Sequence, residues 1–406
     1  MKIMFFTDHF APEISAPAAH IVERSRIWVQ QGHEVTIVTN VPNYPLGEPY
    51  EGYKNKWRQW DDMDGIKVLR VGTYMAENKG TLKRTLDYIS FALSSFINSL
   101  FLPRPDVVYS TTPHIFAPLG GVFFSFIRRV PHVLEVRDLW PASIAATTGM
   151  KKTSLIYRAF ETLEKFLYRA SRRIVVFTQA FKTDLVSRGV PEDKIDVVIN
   201  GANLDLFAKP VHDEALEKEL GLKDKFTIAY FGTLGLAHGL TNAVRAAKLV
   251  EDDDIHFLFV GEGADKSEMQ HIATELNTTN VHFIGRQDRA TMPRFWGLCQ
   301  VGLVHLKNDP VFETVIPSKI FETMAVGLPI AYCGPKSEGA DTIAQNKAGL
   351  IAENYTPEAL ANILRALKND QALYDELRHN SAQSAQKYSR VAQAANTLNA
   401  LGKACK

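Results

Sequence analysis

The sequence predicts an α/β protein of two domains, each built on a parallel β-sheet. The chain has 406 residues, which is more than one typical hydrophobic core accommodates. An apolar run from Lys2 to Thr7, a helical segment ending at Gln31 and a second apolar run from Glu34 form a strand–helix–strand unit. Such a unit implies a parallel pair of strands with a right-handed crossover. The same alternation begins again at Phe226, which indicates the second domain.

Composition excludes several classes of protein. Hydrophobic residues make up 46% of the chain and charged residues 22%, as is ordinary for a globular enzyme in water. The net charge is +1, so no charge excess favours nucleic-acid binding. The three cysteines lie far apart without metal-ligand spacing, which fits a reducing compartment. No apolar run reaches about 18 residues, so no membrane span is predicted, and the N-terminal strand pattern is too short for a signal peptide.

The loop after the first strand is the first candidate binding segment. It runs from His9 to Pro17 and contains Glu13, Ser15 and Ala16. Because it follows the carboxyl end of a parallel strand, we expect it to line a cleft.

The aromatic segment from Asn40 to Gly65 is predicted as one long loop. Between Asp61 and Asp64 it has an Asp-x-Asp spacing, which can hold a metal on sugar-nucleotide phosphates. Since Asp64 and Gly65 directly precede a strand that begins at Ile66, a turn is the expected role.

Two segments of the first half leave a membrane-surface role open. From Thr81 to Phe101 the predicted helix is unusually apolar, which is typical of a buried helix or of one that inserts partly at a membrane surface. From Lys151 to Arg173 there are seven basic residues, which indicates either a solvated face or a face that binds anionic lipid.

Arg137 and Asp138 end another predicted strand, which begins at His132. An arginine followed by an aspartate at a strand's carboxyl end suits a clamp on phosphate or sugar, and it equally suits a salt-bridged turn. Both interpretations remain open at this stage.

A turn and connector from Asn200 to Phe207 marks the domain boundary. We assign residues 1–205, together with about 388–406, to the first domain and residues 206–387 to the second. The last predicted helix is expected to cross back onto the first domain.

The second half contains a glycine-rich loop between a strand and a helix. The strand ends at Gly232, and the loop runs from Thr233 through His238 to Gly239. Glycines let a backbone approach a ligand closely, and the next helix points its N-terminus at that ligand. A further predicted strand ends at Gly261.

A second helix begins near Pro317, which suits a first helical turn. Ser318 and Lys319 then offer free backbone N–H groups, which favour an anion such as phosphate. Glu322 lies one turn further on, where its carboxylate can hold two hydroxyls of a ribose. An ordinary helix–strand unit with a surface glutamate is the alternative.

In their order and spacing, these motifs resemble those of the GT-B glycosyltransferases, in particular the retaining glycosyltransferase family 4. The resemblance covers nearly the whole chain. It is carried by Pro12-Glu13, Gly32-His33-Glu34-Val35-Thr36, Arg137-Asp138-Leu139-Trp140-Pro141, Asn200-Gly201 with Phe207, Gly232, Gly239, Gly261-Glu262-Gly263 and the run from Glu322 to Ile330. The Arg-Asp-x-x-Pro and Pro-Ser-Lys motifs resemble the branch that assembles bacterial surface polysaccharide, which includes amino-sugar transferases.

The resemblance implies two Rossmann-like domains facing a cleft. It implies that the first domain binds a glycan or lipid-linked acceptor and the second a nucleotide-sugar donor, usually UDP-linked, with no metal and no cofactor. Glu322 falls on the family's ribose-binding glutamate. Ser318 and Lys319 fall where backbone N–H groups hold the diphosphate, and Arg286 falls near the nucleobase.

The resemblance also implies transfer with retention of the anomeric configuration. Glu313 is then a candidate contact near the anomeric centre, and Asp138 a candidate for orienting the donor sugar or the acceptor. We expect the protein to be cytoplasmic or peripheral on the inner face of the cytoplasmic membrane.

The chain departs from the family pattern at several positions. The family's second glutamate, its two basic donor-site residues, its histidine before Asp138 and its first Gly-Gly pair are replaced by Thr314, Thr233, His238, Arg137 and Ser15-Ala16. Lys319, Arg137 and His238 are therefore all candidates for the cation that balances the diphosphate. Two alternatives stay open: a sugar-nucleotide epimerase of the same fold, and a nucleotide-sugar-binding subunit without catalysis.

Overall fold

The structure is a computed structural model, which describes residues 1–13, 15–44, 46–76, 81–112, 114–142, 145, 150–207, 210–288 and 290–406. The chain forms two compact units. The first comprises Met1–Ile199 and Gln393–Lys406, and the second comprises Asn200–Ala392.

The first unit contains an eight-stranded sheet. Its strands are β1 (Lys2–Phe6), β2 (Glu34–Asn40), β3 (Arg58–Met63), β4 (Ile66–Val71), β5 (Val107–Thr111), β6 (His132–Val136), β7 (Arg173–Val176) and β8 (Ile195–Val197). Their order is β3-β4-β2-β1-β5-β6-β7-β8, and every neighbouring pair is parallel except β3–β4. The central strands β5 and β6 contain two valines each and are buried along their length, because helices cover both faces of a parallel sheet.

Six helices of the first unit are described. They are α1 (Ala16–Gln30), α2 (Thr81–Ser99), α3 (Leu119–Arg128), α4 (Leu155–Ala170), α5 (Gln179–Ser187) and the last helix of the chain, α15 (Arg390–Cys405), which reaches this unit from Gln393 onward. Trp28 of α1 donates its indole N–H to the carbonyl of Ala394 at 3.0 Å, which joins the last helix to the first. This return of the C-terminal helix confirms the prediction.

The second unit contains a six-stranded, fully parallel sheet in the order β11-β10-β9-β12-β13-β14. The strands are β9 (Phe226–Phe231), β10 (Ile255–Val260), β11 (Val281–Ile284), β12 (Val301–His305), β13 (Ile330–Cys333) and β14 (Gly349–Ile351). The described helices are α6 (Leu204–Phe207), α7 (Glu214–Glu219), α8 (Thr241–Leu249), α9 (Lys266–Glu275), α10 (Met292–Trp296), α11 (Ser318–Val326), α12 (Glu338–Gln345), α13 (Pro357–Asn369) and α14 (Gln371–Ala385). The two parallel sheets confirm the predicted fold class.

The unit boundary is set by backbone pairing. The amide of Ala202 donates to the carbonyl of Tyr388 at 2.8 Å, and the amide of Arg390 donates to Ala202 at 3.0 Å. These bonds tie the start of the connector to the end of the second unit. Along the chain the second unit therefore begins at Asn200, whereas the predicted boundary lay after residue 205.

The prediction of one loop over residues 40–65 is wrong for β3. Its side chains alternate between exposed and half-buried, so it lacks the apolar run that identifies the other strands. Asp61 pairs with the buried Arg70 of β4. Asp62 accepts the Gly65 amide at 3.2 Å, and Asp64 has a φ of 54°, so this segment forms the predicted turn.

In the described ranges, no helix is long and apolar enough to cross a membrane. The two predicted roles of α2, a buried helix or a helix at a membrane surface, are distinguished by the exposed fractions of its side chains. Phe91 is 1% exposed on one side of the helix, whereas Leu93 is 58% exposed on the other. The helix therefore covers the sheet and also presents an apolar stripe to solvent.

Candidate functional site

The second unit gathers its predicted donor-binding residues at the carboxyl edge of its sheet. Gly232 follows β9 and Gly261 follows β10, with φ values of 126° and 152° that favour glycine. A Cβ on Gly261 would lie 1.9 Å from the carbonyl oxygen of Gly232, so only glycine fits where these two chain turns meet. Because both positions are glycine, the two turns present backbone atoms, and no side chain of their own, at this edge of the sheet.

The N-terminus of α11 opens at the same edge. Pro317 is its N-cap, with an extended φ of −63° and ψ of 134°, so the helix begins one residue later than the sequence suggested. Among the residues that the structure describes, the amides of Ser318 and Lys319 donate to no other group. Free amides at a helix N-terminus attract an anion.

Lys319 provides the positive charge at this edge. Its ammonium lies 4.7 Å from the ring centroid of Tyr230 and 3.3 Å from the position that a Cβ on Gly232 would occupy. Burial lowers the pKa of Lys319, and the nearby Glu322 carboxylate opposes that shift. The ammonium thus lies beside the glycine turn and over the ring of Tyr230, with the charge of Glu322 near enough to raise its pKa.

His238 lies in the glycine-rich loop and does not supply a charge at neutral pH. Burial, followed by the charge of Lys319, lowers the pKa of His238 to about 4. Its backbone carbonyl accepts a hydrogen bond from Nδ1 of His305 at 2.6 Å, and Nε2 of His305 lies 3.1 Å from Asn242. His305 therefore fixes the loop. The only sign of this role in the sequence is that a polar residue ends an apolar strand.

Glu322 and Glu313 differ in their burial and in their hydrogen bonds. Glu322 is half-buried one turn into α11 and accepts a hydrogen bond from the hydroxyl of Ser318 at 3.1 Å. Glu313 and Arg286 are exposed, and within the described part of the chain no side-chain hydrogen bond or ion pair joins either to the group around Lys319. Thr233 is exposed, and its carbonyl accepts from the Tyr230 hydroxyl at 3.1 Å.

The predicted pair Arg137 and Asp138 lies at the end of β6 in the first unit. The Arg137 guanidinium donates to Glu135 at 2.8 and 2.9 Å and to Thr111 at 2.9 Å. It also stacks on Phe177, 5.1 Å from the ring centroid. Asp138 is exposed beside it. Arg137 is thus committed to partners within the first unit, which distinguishes it from Lys319 as a candidate cation.

The loop after β1 is anchored by Glu13. One carboxylate oxygen accepts the amides of Asn43 and Tyr44 at 2.9 and 3.1 Å, and the other lies 2.7 Å from Nδ1 of His9. Ser15 is the N-cap of α1 and accepts the Ala18 amide at 3.3 Å.

Ala16 is the first residue of α1. Of the three loop residues predicted to line a site, Glu13 holds the loop in place, while Ser15 and Ala16 begin the helix.

His9 begins the loop that was expected to line a cleft, but its neighbours Asp8 and His114 were not predicted. Nε2 of His9 lies 3.5 Å from Asp8, so the ring stands between two carboxylates. Burial opposes the charge on His9, but Asp8 and Glu13 outweigh it and raise the pKa of His9 to about 9. His114 joins the cluster from the loop after β5, 2.7 Å from Asp8.

Comparison with known proteins identifies both halves. Residues 15–201 match the family model described as a glycosyl transferase 4-like domain, and residues 212–388 match the one described as glycosyl transferases group 1. The chain is 26% identical over 337 residues to an Escherichia coli K12 protein named as a candidate colanic acid biosynthesis glycosyl transferase, covering 80% of this chain and 82% of that protein. It is 24% identical over 355 residues to a GDP-mannose-dependent alpha-mannosyltransferase of Mycolicibacterium smegmatis, covering 87% and 84%.

Solved structures share the fold. The Anabaena protein HepE, crystallised with UDP, superposes with a TM-score of 0.71 at 17% identity, covering 99% of this chain and 100% of that one. The family matches over residues 15–201 and 212–388 each include most of one of the two parallel-sheet units.

The charge on His9 generates a prediction for stability. Its folded pKa of about 9 exceeds the ordinary 6.5, so its stabilising contribution is present below pH 6.5 and is lost as the pH rises through about 9. We expect wild-type unfolding free energy to fall across that window by up to about 3 kcal/mol. Denaturant titrations at stepped pH should show a much smaller fall in His9→Gln.

The matched control is His33→Gln, because the pKa of His33 is lowered and cannot produce an alkaline loss. An equal alkaline slope in His9→Gln and wild type would contradict the assignment.

Proposed function

The chain is a glycosyltransferase of the GT-B fold, similar to family 4, and we propose that it transfers a sugar from a UDP-sugar to an acceptor hydroxyl in bacterial surface-polysaccharide assembly. The observation that carries the donor assignment is the N-terminus of α11, with its free amides and the Lys319 ammonium beside Gly232. The surface-polysaccharide role is supported by the name of the Escherichia coli relative.

The proposed donor site holds the diphosphate with fixed positive groups. The Lys319 ammonium lies beside the Gly232 turn, and the amides of Ser318 and Lys319 belong to the helix start that carries this lysine, so we propose that together they bind the phosphate oxygens. Donors and charges aimed at a developing anion are the main means of stabilising a phosphate leaving group. Because Lys319 supplies this charge, we propose a reaction that needs no metal ion.

Transfer is proposed to proceed with retention. The bond between the anomeric carbon and the diphosphate oxygen breaks, and the acceptor oxygen bonds to that carbon on the same face. The acceptor proton passes to the leaving phosphate oxygen. The protein's part in this step is to orient the two substrates and to stabilise the charge that grows on the diphosphate.

Glu322 is proposed to hold the ribose of the donor. Its carboxylate is half-buried, and its hydrogen bond to Ser318 orients it beside the α11 amides. A carboxylate accepts two hydrogen bonds from neighbouring hydroxyls. The uridine base is supported by the UDP bound to HepE, whereas the mycobacterial relative is named for GDP-mannose, so the base is the first property to test.

The donor is tested with a panel of UDP, GDP, ADP, TDP and their sugars, in the presence of a chelator. A ligand at 100 times its Kd should stabilise the protein by about 2.7 kcal/mol, which a thermal-shift assay detects. We expect selective stabilisation by UDP-sugars, and we expect Lys319→Met to weaken UDP binding about 10- to 100-fold while changing uridine binding little.

The control for Lys319→Met is Lys336→Met, since Lys336 is an exposed lysine of the same unit. Stabilisation by none of these nucleotides would overturn the donor site. Free sugar and UDP formed rapidly with water alone would favour the epimerase alternative.

The role of Glu322 is tested with a modified ribose. We expect Glu322→Ala to lose about 1–3 kcal/mol of UDP binding, the free energy of a charged hydrogen bond. Wild type should bind 2′-deoxy-UDP more weakly than UDP, and Glu322→Ala should bind both alike in isothermal titration. Glu353→Gln, at an exposed glutamate of the same unit, is the control. If Glu322→Ala still preferred UDP over 2′-deoxy-UDP as strongly as wild type, Glu322 would not be the residue that binds the ribose.

The first unit is further proposed to bind an anionic membrane surface. We name as the apolar face the exposed large side chains of α2, α3 and α4 and of the second residue after α2: Leu86, Ile89, Leu93, Ile97, Phe101, Phe123, Phe126, Ile127, Leu155, Ile156 and Phe166. The helices are joined by ring contacts of Phe123 with Phe96 at 6.0 Å and with Phe166 at 6.3 Å. Contiguous apolar surface of this kind marks an interaction site.

Charge identifies the partner of the apolar face. Six of the seven basic residues from Lys151 to Arg173 are exposed, which places positive charge on and beside α4. Apolar side chains flanked by basic ones suit the interface of a bilayer that contains anionic lipid. A membrane-bound acceptor would be reached from such a position.

Membrane binding is tested by sedimentation with vesicles. We expect binding to phosphatidylglycerol-containing vesicles, weaker binding to phosphatidylcholine alone, and about tenfold weaker binding in Leu93→Glu or Phe126→Glu. Val311→Glu, at an exposed valine of the second unit, is the control. Equal sedimentation of Leu93→Glu, Phe126→Glu and Val311→Glu would exclude the apolar face as the binding surface.

A further inference from the structure

Four ionisable side chains from three separate segments converge at one edge of the first sheet. Asp8 and His9 follow β1, His114 follows β5, and Asp87 lies on α2. Because β1 and β5 are parallel neighbours, with Phe6 opposite Ser110, the loops after them emerge side by side. Ligands of open α/β sheets bind at this carboxyl edge.

Asp8 has one carboxylate oxygen without a partner. The residue is 4% exposed, and its Oδ2 lies 2.7 Å from Nε2 of His114 and 3.5 Å from Nε2 of His9. In the described part of the chain, Oδ1 accepts no hydrogen bond although it is buried. A buried acceptor without a partner costs free energy, so it indicates a place where a ligand donor binds.

The two histidines keep Asp8 ionised. Nδ1 of His114 accepts the Ala117 amide at 3.1 Å, so the proton of this ring is on Nε2 and faces Asp8. The ring is fixed by stacking on Tyr88, with centroids 3.6 Å apart. Burial raises the pKa of Asp8, but the charge of His9, followed by the nearby Nε2 of His114, outweighs it and holds that pKa well below its usual range.

Asp87 is a second carboxyl group that faces this cluster. It is half-buried and accepts a hydrogen bond from the Ala76 amide. Burial, followed by the charge of Asp8, raises the pKa of Asp87 to about 7. Glu13 adds further negative charge and His9 positive charge. Arg84 is engaged with the Tyr88 hydroxyl at 2.6 Å.

We propose that Asp8, through its free oxygen, and Asp87 accept hydrogen bonds from hydroxyls of an uncharged sugar at the end of the acceptor. This inference rests on the proposed transferase reaction and names the chemistry of its second substrate. The ionised Asp8 and Glu13 outnumber the single imidazolium of His9, so the cluster repels phosphate and carboxylate groups. The acceptor group bound here is therefore a neutral glycan, and a lipid phosphate lies elsewhere.

The test observes the aspartate carboxyl groups directly. In ¹³C-aspartate-labelled full-length protein, the Asp87 signal is titrated with and without neutral methyl glycosides of common hexoses and N-acetylhexosamines. Each sugar is used at about 50 mM, enough for a Kd in the millimolar range. Hydrogen bonds to a carboxylate favour its charged form, so a bound sugar should lower the Asp87 pKa by about one unit.

Variants separate binding from a general change in structure. Asp8→Asn should abolish the sugar-induced change in the Asp87 pKa. Asp87→Asn, at a half-buried position, should abolish sugar binding as measured by saturation-transfer NMR from the protein to the sugar. Asp193→Asn, at an exposed aspartate of the same unit, should retain both effects. The proposal is overturned if no neutral glycoside moves the Asp87 signal, or if glucose 1-phosphate and methyl glucuronide move it equally.

Donor stabilisation is measured in the same samples, because the donor groups belong to the other unit. If UDP-sugars stabilised the protein but no glycoside changed the Asp87 pKa, only the acceptor-site proposal would be overturned. A glycoside effect without nucleotide stabilisation would overturn the donor proposal and keep the sugar site.

Discussion

Parallel pairing of buried strands is the constraint on which both candidate sites depend. Apolar strands need helices on both faces, and the chain must return across the sheet before each new parallel strand. Every turn that leaves the carboxyl end of a strand therefore emerges at one edge. In the second unit that edge carries Gly232 and Gly261, and in the first it carries Asp8 and His114. Polar and backbone groups are concentrated there because the rest of each strand is buried.

The second unit shows how such an edge becomes electropositive without many charges. The close approach of Gly261 to Gly232 removes side chains from the turn, and the space is bordered by the Lys319 ammonium. That ammonium lies over the aromatic face of Tyr230, the charge of Glu322 favours its protonated form, and α11 adds amides with no partner in the described chain. Because His238 is neutral, Lys319 supplies the positive side-chain charge of this group. The arrangement exists before a ligand arrives, which is the condition for electrostatic stabilisation of a leaving group.

In the first unit, α2 connects two proposed interactions. One side of this helix carries Asp87 and Tyr88 toward the cluster around Asp8, and another carries Leu93 and Ile97 to solvent. A helix has room for both because side chains three and four positions apart share a face, while those between them point elsewhere. A substrate with a neutral glycan end and a lipid anchor matches the two faces together.

The sequence by itself determined the two parallel sheets, the return of the last helix and, to within one residue, the helix start after Pro317, because apolar runs, glycine and proline act locally. It also placed Lys319 and Glu322 on that helix start. Only the tertiary structure decided that Arg137 forms an ion pair with Glu135, that β3 pairs as an edge strand, and that His305 fixes the glycine-rich loop by a hydrogen bond. The cluster of Asp8, His9, Asp87 and His114 was equally hidden, because its members come from three segments and no local spacing relates them. Contacts between distant parts of the chain set burial, and burial sets which charges remain free to bind a ligand.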